Sequence, residues 1–99
     1  MEVFNGVIEE NLSPIHDIKI KGILNGTLIV NGIHADIHGI VNGDVFVNSG
    51  GSVNVYGIVQ GSVTNNGGLV TVFGMVGKDV STASGYTKIL PEAITNFKQ

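Results

Sequence analysis

The 99 residues, 42% hydrophobic and 13% charged, make one small domain with an apolar core, and that balance excludes a disordered chain. A formal net charge of -3, with five Lys and Arg that never cluster, excludes a nucleic-acid binder because nothing supplies a phosphate-neutralising stripe. The chain has no cysteine, which rules out disulfide frameworks and thiolate metal sites.

The opening stretch, MEVFNGVIEENLSP, has neither a basic n-region nor a long apolar run. No later segment reaches the roughly eighteen apolar residues of a membrane span. The expected setting is the cytoplasm, with no transmembrane segment. Val3, Phe4, Val7 and Ile8 are placed to cap one end of the fold, and Glu9 and Glu10 near that edge discourage uncontrolled strand pairing.

From here an internal repeat governs the chain. A weak copy, GVIEE, begins at Gly6, and GILNG, GIVNG, GIVQG and GMVGK follow at Gly22, Gly39, Gly57 and Gly74, in steps of 16, 17, 18 and 17 residues. The Asn-Gly pairs inside these phrases resemble hairpin turns. Parity argues otherwise. A hairpin at Asn42-Gly43 pairs Val41 with Asp44 across the strands, whereas an uninterrupted strand puts residues two apart on one face. That face carries Ala35, Ile37, Gly39, Val41, Gly43, Val45 and Val47, and the neighbouring units repeat it from Ile18 to Val30, from Val53 to Val63 and from Val70 to Val80. Eighteen apolar side chains fall on the inward list.

Alternation with this period predicts an all-β fold, a single-stranded β-helix (solenoid) of about five coils of 17–18 residues, stacked at about 4.8 Å with glycine at cramped corners. The stretches NSGGS (48–52) and NNGG (65–68) mark another corner, where a one-residue insertion accounts for the 17/18 alternation. Residues 1–85 form the predicted solenoid. Residues 86–99 break the repeat and are predicted to be a cap or tail with a short helix, Pro91 in its first turn and Leu90, Ile94 and Phe97 on its apolar side. Such a segment caps the last coil, where Lys78 replaces the second glycine and escapes through the open end, or else covers an apolar stripe.

The phrases GILNGTLIV, GIVNGDVFV and GIVQGSV resemble the repeated G-x-V-x-G-x-I-x-V phrase of the bactofilins, over roughly residues 18 to 80. The resemblance implies a right-handed β-helix of short coils and a bacterial, polymer-forming cytoskeletal protein. It also implies self-assembly without enzymatic activity.

Left-handed β-helix acyltransferases share an eighteen-residue coil, but their six-residue recurrence is replaced here by two-residue alternation. His34, Asp36 and His38 alternate outward, and residues four apart in an extended strand are about 13 Å apart, too far to share one metal ion. The glycine-rich corners carry no repeating aspartate for calcium, and no serine, histidine and acid set recurs at one placeable site. Neither metal, cofactor nor catalysis is expected.

The outward positions are more telling. Ile23, Ile40, Ile58 and Met75 recur at one outward place, Lys21, His38, Tyr56 and Phe73 at its neighbour, and Ile29 and Phe46 lie further along. The expected interaction surface is Ile23, Ile40, Ile58, Met75, Tyr56, Phe73 and Phe46, because apolar stripes of this kind are seldom left open. The expected partner is a second copy, in an oligomer or polymer. The alternative is a heterologous protein that the chain blocks, as an inhibitor or immunity protein does.

Overall fold

The computed structural model describes residues 1–95. Those residues form thirteen strands and no helix, so no helix is long and apolar enough to cross a membrane. All strand pairing is parallel, and the chain winds into a β-solenoid of about five coils. Parallel pairing of consecutive coils through Glu2, Ile18, Ala35, Val53, Val70 and Thr87 sets steps of 16, 17, 18, 17 and 17 residues.

Each coil has three faces. The first contains Glu2–Phe4, Ile18–Ile20, His34–Ile37 and Ser52–Val55, and is continued by residues 69–72 and 86–89. The second contains the two-residue strands Val7–Ile8, Ile23–Leu24, Ile40–Val41, Ile58–Val59 and Met75–Val76. On the third lie Leu28–Val30 and Val45–Asn48, followed by residues 63–66 and 80–84. Two ten-residue strands, Val63–Val72 and Val80–Ile89, bend around the corner from the third face to the first.

The eighteen apolar residues assigned inward by alternation are the eighteen buried hydrophobic residues, none more than 2% exposed. Phe4, Ile8, Leu12, Ile33, Ile89 and Ala93 pack against them from the ends and corners. The chain therefore runs straight through each Asn-Gly pair. The N-terminal stretch is a coil in its own right: Phe4 and Ile8 follow the inward columns of Ile20 and Leu24, while Val3 and Val7 are exposed. The one-residue insertion that lengthens the third coil lies at NSGG, where six positions separate Val47 from Val53 against five between Val30 and Ala35.

Two expectations are corrected. NNGG lies at the expected corner but as bent strand and not loop, with Asn65 in the inward place of Val47 and fully buried. Its amide ties the corner together. Oδ1 accepts from the Gly67 and Gly68 amides at 3.2 and 2.8 Å, and Nδ2 donates to the carbonyls of Gly68 and Tyr86 at 3.1 and 2.9 Å and to Thr87 Oγ1 at 3.1 Å. A buried polar side chain this well satisfied carries little desolvation penalty.

The second correction concerns the C-terminal helix. Strand Val80–Ile89 crosses the expected boundary at residue 85, residues 91–92 turn, and Ile94 pairs with Met75 through a bridge. The Ile94 amide donates to the Gly74 carbonyl at 3.0 Å, and the Val76 amide donates to the Ile94 carbonyl at 2.9 Å. A free sheet edge offers these backbone groups ready partners, which a helix of one or two turns, with its costly nucleus, does not match. Phe97 lies outside the described residues. Lys78 is exposed beside the last coil.

A Cβ on Gly57 would strike the carbonyl oxygen of Gly39, while one on Gly6 would meet nothing within 4 Å. Gly57→Ala is expected to lower stability by about 1–3 kcal/mol or more, and Gly6→Ala to be near neutral, in urea unfolding. Asn65→Ala strands two corner amides and is expected to cost about 3 kcal/mol in the same measurement.

Candidate functional site

The corner between the first and second faces is built on glycine. Gly6, Gly22, Gly39, Gly57 and Gly74 stack there, and a Cβ on any of the last four would collide with the carbonyl oxygen of the glycine one coil before it. Because no side chain fills the corner, the surface is recessed. The recess is a groove of about 520 Å³ running along the solenoid, with Gly22, Gly39 and Gly57 in its floor.

Lys21 and His38 line it on one side and Ile23, Ile40 and Ile58 on the other, each set part of a longer column of outward side chains. On one side the rings of His38, Tyr56 and Phe73 stack in series, with centroids 4.7 Å apart and planes inclined by 13° and 14°. That spacing matches the rise between coils, so the rings inherit their stacking from the backbone. On the other side Ile23, Ile40, Ile58 and Met75 are paired in register. This column extends past both ends of the repeated phrase: Val7 pairs with Ile23, and Ile94 with Met75. Six aliphatic residues thus run along the second face, the terminal two being 58% and 65% exposed. Beyond them an amide ladder bounds the stripe, with Asn25 Nδ2 donating to Glu9 Oε2 at 2.8 Å and Asn42 Nδ2 to Asn25 Oδ1 at 2.5 Å.

Of the seven residues expected on the interaction surface, the fold brings six together. Ile23, Ile40 and Ile58 line one side of the groove and Met75 continues their column beyond it, while Tyr56 and Phe73 continue the column of His38 on the other side. Phe46 is separate, on the third face between Ile29 and Thr64. Residues 90–95 add to the end of the stack, and the part of them that reaches the second face, Ile94, lengthens the stripe.

One polar cluster escaped the sequence reading. On the first face, His34 Nε2 lies 2.7 Å from Asp36 Oδ1 and His34 Nδ1 lies 2.6 Å from Ser52 Oγ. A carboxylate only accepts, so Nε2 donates to Asp36, and in the neutral ring Nδ1 accepts from the Ser52 hydroxyl. A hydroxyl, a base and an orienting acid in this order are the parts of an activated nucleophile. Three donors near the hydroxyl have partners within the fold: Ser52 N donates to the Ile33 carbonyl at 2.9 Å, His34 N to Asp17 Oδ1 at 2.9 Å, and one N–H of Asn54 Nδ2 to Asp36 Oδ1 at 3.1 Å. The cluster ties the third coil to the fourth. His38 is stacked on Tyr56 instead of being turned toward Asp36, and among the described residues no group of three or more His, Cys, Asp or Glu is placed to hold a metal ion.

Comparison with protein-family models, with curated proteins and with solved structures returns no match. Geometry therefore carries the functional argument. If the Ser52 hydroxyl serves as a tie between coils, Ser52→Ala is expected to lower stability by about 0.5–1.5 kcal/mol. The unaltered chain is then expected to resist labelling by a fluorophosphonate, read by intact-mass spectrometry.

Proposed function

We propose that this chain is a non-enzymatic bacterial structural or scaffold protein that self-associates through its solenoid ends, its lateral apolar stripe or both, in the manner of the polymer-forming bactofilins. The observation that carries this reading is the end-to-end column from Val7 to Ile94, flanked by a ladder of stacked rings. The four central members are half-buried and the two terminal ones exposed, and a contiguous apolar stripe of this kind is a natural contact surface for a partner. The ends support the same reading. Glu2–Phe4 and Val7–Ile8 are edge strands, each paired on one side only among the described residues. Unpaired parallel edges accept further strands.

The sequence resemblance to bactofilins joins these two features. A rigid stack of short coils supplies fixed spacing along its length, which suits a structural element better than a catalyst with a moving lid. Cytoplasmic assembly accords with the absence of any cysteine, since no part of the contact surface requires an oxidising compartment.

Light scattering across a concentration series tests the reading. Mass rising above the 10.3 kDa of one chain is expected as concentration increases. A strict monomer at the highest concentration removes the proposal, and its co-purification with a single heterologous protein would favour a role in blocking that partner.

A further inference from the structure

The second face is self-complementary in a specific way. Its aliphatic column reads Val7, Ile23, Ile40, Ile58, Met75 and Ile94, with the midpoint between Ile40 and Ile58. Laid against itself in reverse, Val7 meets Ile94, Ile23 meets Met75 and Ile40 meets Ile58, so an aliphatic side chain faces an aliphatic side chain along the whole length. The flanking columns favour the same arrangement. A two-fold axis lying in the contact plane across the column sets the ring ladder on the ring ladder and the amide ladder on the amide ladder. A two-fold axis parallel to the column would instead press the rings of His38, Tyr56 and Phe73 onto the Asn25 and Asn42 amides, desolvating amides against apolar surface.

Charge supplies an independent argument. Beside the stripe, on the amide side, Glu9 and Glu10 stand in the first coil and Lys78 in the fifth, all exposed, with Asp79 following Lys78. Reversal brings the second coil opposite the fifth. Lys78 then lies one coil step, about 4.8 Å, from the level of the other copy's Glu9 and Glu10, and the symmetry makes this contact twice. On the ring side the same reversal sets Lys21 over the level of Phe73, a cation–π placement. We propose that the second face is the contact of an antiparallel, two-fold dimer with another copy of this chain. This rests on the self-association reading above and names its partner and orientation.

The size of the contact fixes its strength class. Five coil steps give a stripe about 24 Å long, and three side-chain columns make it about 15 Å wide. The buried area of about 400 Å² per copy is half that of a standard interface, which places the dimer among weak, reversible associations. Micromolar to millimolar dissociation is therefore expected, and the stripe works alongside end contacts in any larger assembly.

Sedimentation equilibrium of the full chain and its variants tests the proposal. The unaltered chain is expected to dimerise, Ile58→Asp to abolish dimerisation, and the pair Glu9→Lys, Glu10→Lys to weaken it about tenfold. Adding Lys78→Glu to that pair is expected to restore the affinity to within about threefold, and adding Lys21→Glu is not. Glu10, Lys21 and Lys78 are exposed and Glu9 gives up only its surface hydrogen bond to Asn25, so a thermal melt of each variant, run beside the parent, separates loss of contact from loss of fold. Rescue by Lys21→Glu instead of Lys78→Glu would overturn the orientation. Oligomers indifferent to Ile58→Asp and to the charge changes would overturn the dimer while leaving association through the ends intact. A monomer at every concentration would remove both.

Discussion

The whole molecule follows from one constraint: each stretch of backbone lies one strand spacing above an equivalent stretch and is hydrogen-bonded to it in parallel register. Whatever side chain occupies a position is set about 4.8 Å from its counterparts in the coils above and below. Chemistry is therefore arranged in columns. Inward columns are mostly valine, isoleucine and leucine because aliphatic side chains fill a narrow, dry tube without unpaired polar groups, and Asn65, the one buried polar member among the described residues, has its bonds satisfied at the corner. At the tight corner the column is glycine, since the space a Cβ would occupy already holds a carbonyl oxygen. On the surface the same rule produces the ladder from Glu9 through Asn25 to Asn42 and the stacked rings. The groove is a direct consequence: glycines demanded by the backbone leave a trough, and the columns on either side of it become walls.

Column geometry also explains what could be read without coordinates. Alternation of apolar and other residues is a two-residue signal that survives any single insertion, which is why all eighteen inward residues were legible. So were the Ile and Tyr/Phe columns, which repeat with the glycines. Asn65 was not, because asparagine beside two glycines reads as turn chemistry, and only the corner amides it bonds reveal that it points inward. Ser52 lies one 18-residue step after His34, the step from Gly39 to Gly57, so their contact was within reach of the repeat; following His34, Asp36 and His38 along one strand left out the neighbour in the next coil. Val7 lies sixteen residues before Ile23 and was within reach of the repeat, whereas Ile94 lies nineteen after Met75, beyond the turn at 91–92, and had left the period.

Following the inward columns to their ends exposes a chemical difference between the two ends of the stack. At the N-terminal end they finish in Phe4, Ile8 and Leu12, half-buried hydrophobic residues. At the C-terminal end two of them turn polar, Val47 giving way to Asn65 and then Thr82, and Val70 to Thr87. Thr82 Oγ1 donates to Thr87 Oγ1 at 2.7 Å, and Asn65 Nδ2 reaches the same hydroxyl. A further coil stacked on these columns would bury hydroxyls where an aliphatic core is required, and each would need a partner out of water. Those two columns therefore end in hydroxyls bonded to each other and to Asn65, not in aliphatic side chains. The N-terminal coil instead carries the aliphatic columns to its edge in Phe4, Ile8 and Leu12, beside the unpaired backbone of Glu2–Phe4, while at the other end Ile89 and Ala93 pack against the core next to the threonines.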